Sequence, residues 1–236
     1  ISFSTSSSAV NASDCNVKEV GEIISHLSLV ILVGLFNEDD LVKNISYNLL
    51  VATQEAFNLD FGTRLHKSPE TYVPDDTTTF LALIFKAFSE SSTELTPYIW
   101  KYMLDGLEND VIPQEHIPTV VCSLSYWVPN LYEHVYLAND EEGPEAISRI
   151  IYSLIRLTVK EPNFTTAYLQ QIWFLLALDG RLTNVIVEEI VSHALDRDSE
   201  NRDWMKAVSI LTSFPTTEIA CQVIEKLINM IKSFLP

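Results

Sequence analysis

Ile147, Ile150, Ile151, Leu154, Ile155 and Thr158 recur at offsets 0, 3, 4, 7, 8 and 11, which at 3.6 residues per turn lays one apolar stripe along a single helical face. A strand cannot use that spacing, because its successive side chains face opposite ways. The same register returns in Val187, Ile190, Val191, Ala194 and Leu195, and again in Ile219, Val223, Ile224, Leu227, Ile228 and Ile231. Six Gly and ten Pro in 236 residues are few for an all-β chain, which needs a tight turn about every ten residues. The fold class these features predict is all-α.

Start and stop signals divide the remainder. Thr96 before Pro97 reads as an N-cap with proline at the first helical position, Gly143-Pro144 opens another helix, and Pro162 and Asp179-Gly180 close two more. Ten helices follow, near residues 14–36, 39–57, 77–90, 96–109, 118–138, 144–161, 165–178, 183–197, 200–213 and 216–234. Pro129 falls inside the fifth; lacking an N–H and clashing with the preceding turn, it is expected to kink or break that helix near Trp127.

In chain order these helices make about five antiparallel pairs, starting at residues 14, 77, 118, 165 and 200. The later spacings fall in the range of about 35 to 47 residues typical of HEAT or armadillo repeats. The expected architecture is therefore a HEAT/armadillo-like solenoid filling 14–236 as a single segment, with an irregular helical domain as the alternative. Residues 1–13, ISFSTSSSAVNAS, read as a Ser-rich linker or chain end.

Charge narrows the partners. Fifteen Lys and Arg against 32 Asp and Glu give a net charge of −17, a field that repels phosphate backbones and anionic membrane surfaces. No two Lys or Arg residues are adjacent, so no nucleic acid is expected as a partner. The longest apolar stretch, Leu27 to Phe36, is ten residues, well short of the ~20 that span a bilayer. It reads as a buried helix, with no direct membrane insertion. Cys15, Cys122 and Cys221 are an odd number with no Cys-x-x-Cys pair, which fits a reducing, cytoplasmic setting. Asn11, Asn44 and Asn163 begin Asn-x-Ser/Thr triplets, but Asn44 lies in a strongly helical run, and glycosylation is not expected.

Site chemistry is sparse. His26, His66, His116, His134 and His193 make no His-Glu-x-x-His and no pairing with cysteine, so they read as surface or core-edge residues, not zinc ligands. Asp39-Asp40 and Asp75-Asp76 lack the continuation of a magnesium-binding Asp-Asp-x-x-Asp, and both sit at helix starts, where carboxylates offset the dipole. Phosphate-binding glycine loops and the Gly-x-Ser-x-Gly elbow are absent from the sequence. No catalytic residue, no metal and no cofactor is therefore expected, and the segment is read as not an enzyme.

Trp100, Trp127, Trp173 and Trp204 lie in helical stretches and read as core anchors; Trp204, flanked by Arg202, Asp203 and Lys206, is the best placed for exposure. The connection 58–76 is nineteen residues with Gly62, Pro69 and Pro74, long enough to suggest function. Phe61, Leu65, Tyr72 and Val73 can pack it back onto the helices. The candidate partner surface is accordingly Tyr47, Phe61, Arg64, His66, Tyr72 and Trp204.

Three segments carry a family resemblance: SYNLLVATQEAFNLDFG (46–62), VPDDTTTFLALIFKAFSESSTELT (73–96) and YWVPNLYEHVY (126–136). It continues through ISRIIYSLIRLTVKE (147–161) and QIWFLLALDGRLTNVIVEEIV (171–191). In this collinear order the chain resembles the neurofibromin family of Ras GTPase-activating proteins, in the region after the Sec14-like and pleckstrin-like module, with the fungal Ira proteins closest in character. The resemblance implies a piece of a very large negative regulator of Ras, acting in the Ras-cAMP pathway in fungi. It implies a HEAT-like region that positions other domains of the same polypeptide and contributes to a homodimer. Ras would be met only through the parent's GTPase-activating domain, and the parent would associate with the membrane periphery. That domain's Phe-Leu-Arg signature is absent here, so none of Arg64, Arg149, Arg156, Arg181, Arg197 or Arg202 inherits its arginine finger. The competing reading is a stand-alone helical-repeat adaptor for basic proteins or peptides.

Overall fold

A computed structural model describes residues 8–67, 76–138, 142–160 and 165–194, with six helical positions between 221 and 232. The described residues are all-α, with no strand among them. The chain divides into two compact units, Ile1–Met103 and Leu104–Pro236.

In the first unit, α1 (Ser8–Leu35) and α2 (Asp40–Phe57) pack along one another. Gly34 allows the approach, because a Cβ there would run into the side chain of Ser46. α1 starts six residues before the start read from the sequence at residue 14. Ile24, Ile31, Leu32 and Leu35 of α1 are buried, as are Tyr47, Leu50 and Val51 of α2. Within the run 27–36, Ile31, Leu32, Gly34 and Leu35 are buried, while Val30 points outward and is 57% exposed.

α3 (Thr77–Ser91) adds Leu81, Ile84, Phe85 and Phe88 to this core, and α4 (Thr96–Glu108) adds Ile99, Trp100 and Met103. α4 lies against α1, with Tyr98 over Gly21, Lys101 3.9 Å from Glu22, and the Tyr102 ring 3.7 Å from the His26 ring. Asp39 and Asp76 do cap helices, accepting hydrogen bonds from the Leu41 and Thr79 N–H groups at 2.8 and 2.9 Å. Thr96 does not. A 3₁₀ turn, Thr93–Leu95, runs straight into α4, so Thr96 is already helical and its hydroxyl donates back to the Thr93 carbonyl at 2.5 Å.

The second unit contains α5 (Ile117–Ser125), α6 (Gly143–Lys160), α7 (Thr165–Tyr168), α8 (Phe174–Asp179) and α9 (Thr183–Ala194). The break expected from Pro129 is present: α5 ends at Ser125, and a 3₁₀ turn, Val128–Asn130, leads into a π-helical turn, Tyr132–Tyr136. A second π turn, Leu169–Trp173, joins α7 to α8. All six stripe residues of α6 are buried, and α6 packs on α7, α9 and the first π turn, while α5 packs on α7 and the second. Trp127 and Trp173 are core anchors, as Trp100 is in the first unit. The predicted helix 200–213 lies outside the described residues. Within 216–234, Cys221, Ile224, Glu225, Ile228, Asn229 and Lys232 are helical, and Ile224 and Ile228 are 55% and 45% exposed.

Candidate functional site

The connection following α2 is built from the helix end outward. α2 stops at Asn58, which takes the left-handed conformation at φ 51°, with the Asn58 and Leu59 N–H groups both donating to the Gln54 carbonyl. Asp60 then accepts from the Gly62 N–H at 2.8 Å, an Asx turn that Gly62 enters at φ 72°. Gln54 latches the loop from below: its amide donates to the Thr63 carbonyl at 2.8 Å and accepts from the Leu65 N–H at 2.9 Å. Ser91 at the end of α3 donates to the Asp60 carbonyl at 2.8 Å.

Phe61 sets its ring edge-on to Phe88 at 5.2 Å, and Leu65 is buried in the core. These two residues do pack the loop back as their apolar character predicts; Tyr72 and Val73 lie outside the described residues. Tyr47 and Phe61 are only 6% and 4% exposed, because Tyr47 is directed toward Phe80 at 6.2 Å and Phe61 toward α3. Phe61 anchors the loop from inside, and Tyr47 packs between the helices. Arg64 and His66 are exposed on it, and Lys67 pairs with Glu55 at 3.6 Å. Tyr72 and Trp204 lie outside the described residues.

The second unit holds a cluster that sequence reading missed. Arg181 donates to Glu133 at 2.8 Å and grips Asp179 through two nitrogens at 2.5 and 2.9 Å, while its guanidinium lies 4.7 Å from the centroid of the Tyr132 ring. Tyr132 stacks in turn on Tyr136 at 5.4 Å. The hydrogen bond from Arg181, opposed by partial burial and reinforced by its charge, holds the Asp179 carboxyl below the usual carboxylate range. The cluster fastens the first π turn to the end of α8, where Gly180 at φ 71° turns the chain. The i, i+4 tyrosines are visible in the sequence; the partnership across 48 residues is not.

Of the histidines, His26 and His66 are exposed, and His116 and His134 are half-buried. Among the described residues no three His, Cys, Asp or Glu side chains converge as metal ligands, and no helix is long and apolar enough to cross a membrane.

The fold thus defines an all-α protein, two compact units of packed helices with a latched surface loop in the first. No family model matches the chain. Over 219 residues, 93% of its length, it is 56% identical to the inhibitory regulator protein IRA2 of Saccharomyces cerevisiae. The resemblance to the fungal Ira proteins is thereby shown, and the chain is a homologue of a segment of that inhibitory regulator. It spans 7% of that relative's length.

Proposed function

We propose that this chain is a non-catalytic structural and interaction segment of a large Ira-type Ras GTPase-activating protein, a negative regulator of Ras. In this reading its helix pairs stack as a HEAT/armadillo-like solenoid over 14–236, position the parent's other domains and support homodimer assembly. Ras engages only the parent's GTPase-activating domain, and the whole works in the cytoplasm at the membrane periphery. The observation that carries this reading is the 56% identity over 93% of the chain to an inhibitory regulator of which it covers 7%. Packing of α1 on α2, and of α6 on its neighbours, supports the repeat architecture. Arg64 and His66 are the side chains through which the latched loop would meet another domain.

GTP hydrolysis by Ras, measured with the isolated segment, tests the assignment: the rate stays at its intrinsic value, and any acceleration overturns it. Removing the segment from the full-length protein should change the hydrodynamic radius while leaving the activation of Ras within about twofold. The net charge of −17 favours one alternative, an adaptor for basic proteins. Specific capture of a basic peptide by the isolated chain, lost at ~0.5 M salt as screening shortens to a few Å, would decide for it.

A further inference from the structure

A Ser or Thr with a carboxylate at the third position after it is rare in this chain, despite its 32 acidic residues. Only Ser91, before Glu94, and Thr158, before Glu161, have that spacing. Thr158 is 3% exposed, and its hydroxyl is engaged by the Leu154 carbonyl and the Trp173 indole, so nothing outside the fold reaches it. Ser91 is exposed, as are Glu90 before it and Glu94 after it.

The same spacing also marks a capping box, in which the hydroxyl accepts a hydrogen bond from the N–H three residues on. Ser91 is not used that way. Its hydroxyl donates to the Asp60 carbonyl at 2.8 Å, with the Phe88 carbonyl a second acceptor at 3.3 Å. The residue before the 3₁₀ turn that follows is Ser92, which makes no side-chain cap. An exposed hydroxyl flanked by acids, with no helix to start, suits an enzyme whose groove is basic. The net charge of −17 favours the same kind of visitor.

We propose that Ser91 is a phosphorylation site for an acidic-directed serine/threonine kinase, and that its phosphate releases the 58–67 loop. In the transfer, Ser91 Oγ bonds to the γ-phosphorus of ATP as the bond to the bridging oxygen breaks. ADP leaves, and the hydroxyl proton passes to the kinase's carboxylate base. Ser91 is the last residue of α3, and helix ends fray, so its segment enters a kinase groove without opening the core.

The product cannot hold the loop as the hydroxyl does. The proton donated to the Asp60 carbonyl is gone, and a phosphoester with a charge of about −1.5 to −2 at pH 7 takes its place. That charge stands at the negative end of the α3 dipole, in sequence between Glu90 and Glu94, and against a carbonyl oxygen. Repulsion replaces the bond that ties α3 to Asp60, where the Asx turn opens the loop. Gln54, Phe61 and Leu65 remain as its fastenings. The proposal rests on the reading of Arg64 and His66 as a contact surface only for its consequence, and its tests need no partner.

The site is tested by incubating the intact, folded chain with an acidic-directed kinase and ATP labelled in the γ-phosphate, then mapping the peptides. Label is expected on Ser91, absent from Ser91→Ala, and slowed about tenfold or more in Glu94→Gln, which loses a charge-assisted contact. No label on Ser91, label there only after urea has unfolded the chain, or a Glu94→Gln rate equal to the parent's overturns the site. Trypsin cleavage after Arg64 and Lys67 reads the loop. Phosphorylation should speed both cuts about tenfold, since cleavage follows the population of opened loop. Ser91→Ala loses the bond without gaining the charge and should speed them only about two- to threefold. Unchanged or slower cleavage of the phosphorylated chain overturns the release. Either failure leaves the contact surface standing; that reading falls separately, if Arg64→Glu with His66→Glu leaves the hydrodynamic radius of the full-length protein unchanged.

Discussion

In the first unit, α2 starts on a side-chain cap from Asp39 and stops on a left-handed Asn58, and α3 starts on a cap from Asp76. Each partner lies within a few residues of the helix end it closes. In the second unit the regular helices are broken by a 3₁₀ turn and two π turns, and the bonds around them span the chain. Trp173 donates to Thr158 across 15 residues at 3.0 Å, Arg181 to Glu133 across 48 at 2.8 Å, and Lys160 to Asp110 across 50 at 2.8 Å. Local chemistry is enough to end a regular helix. A π turn has poorer backbone geometry and persists where tertiary contacts hold it.

Removing one distant contact from the second unit gives the largest effect expected. Trp173 is buried in the second π turn, and its indole N–H reaches the Thr158 hydroxyl, which itself donates to the Leu154 carbonyl at 2.6 Å. Trp173→Ala should cost about 3–5 kcal/mol, measured by urea denaturation. Asp39→Ala, which removes a local cap in the first unit, should cost only about 1 kcal/mol. Equal losses, or a loss below about 1 kcal/mol for Trp173→Ala, would break the contrast between the units.

Three glycines sharpen it. A Cβ at Gly143 would strike the backbone carbonyls of Val135 and Tyr136 at the end of the first π turn, and backbone cannot swing aside. Gly143→Ala should therefore cost about 2–3 kcal/mol. At Gly34 the obstacle is the Ser46 side chain, with its Cβ 2.9 Å from the added atom, and a small helix shift can relieve part of the overlap. About 1–2 kcal/mol is expected there. Gly180 meets nothing within 4 Å and has only its φ of 71° to defend, worth about 1 kcal/mol. Denaturant midpoints in that order support the packing described; a Gly143 variant milder than the Gly180 variant contradicts it.

The same division explains what could be read from residues alone. The α6 stripe, the break at Pro129, the caps at Asp39 and Asp76 and the turn at Gly180 all depend on neighbours within about one helical turn, and each is visible in order along the sequence. Thr96 misled because the 3₁₀ turn before it carries no distinctive residue. Tyr47 and Phe61 read as surface in the sequence because an aromatic beside a long loop serves equally as anchor or as contact; only their packing toward Phe80 and Phe88 separates the two. Val30 sits in an unbroken apolar run, where periodicity cannot tell a covered face from an open one. The Arg181 cluster was illegible because its partners meet only after the second unit has folded.

Acid titration separates the two units by mechanism, through effects smaller than these. The Asp76 carboxyl is held below its ordinary value of 3.8 by hydrogen bonds from Thr79, the side-chain hydroxyl first and the N–H second. Asp179 is held below the same value chiefly by its hydrogen bond from Arg181. A carboxylate whose folded-state pKa is depressed contributes stability that is present above the unfolded value and is lost as the pH falls through the folded one. Asp76→Asn and Asp179→Asn should therefore each flatten the fall in stability below about pH 4, with little change in its slope near pH 7. Salt then tells them apart. The Asp76 contribution is a hydrogen bond within one helical turn and should survive ~0.5 M NaCl, whereas the exposed pairing of Arg181 with Asp179 and Glu133 is screened. Thermal melts of both variants at low and high salt check this: the difference from the parent should shrink with salt for Asp179→Asn alone, and equal shrinkage in the two would mean that the first unit's caps are no more local than the second unit's clamp.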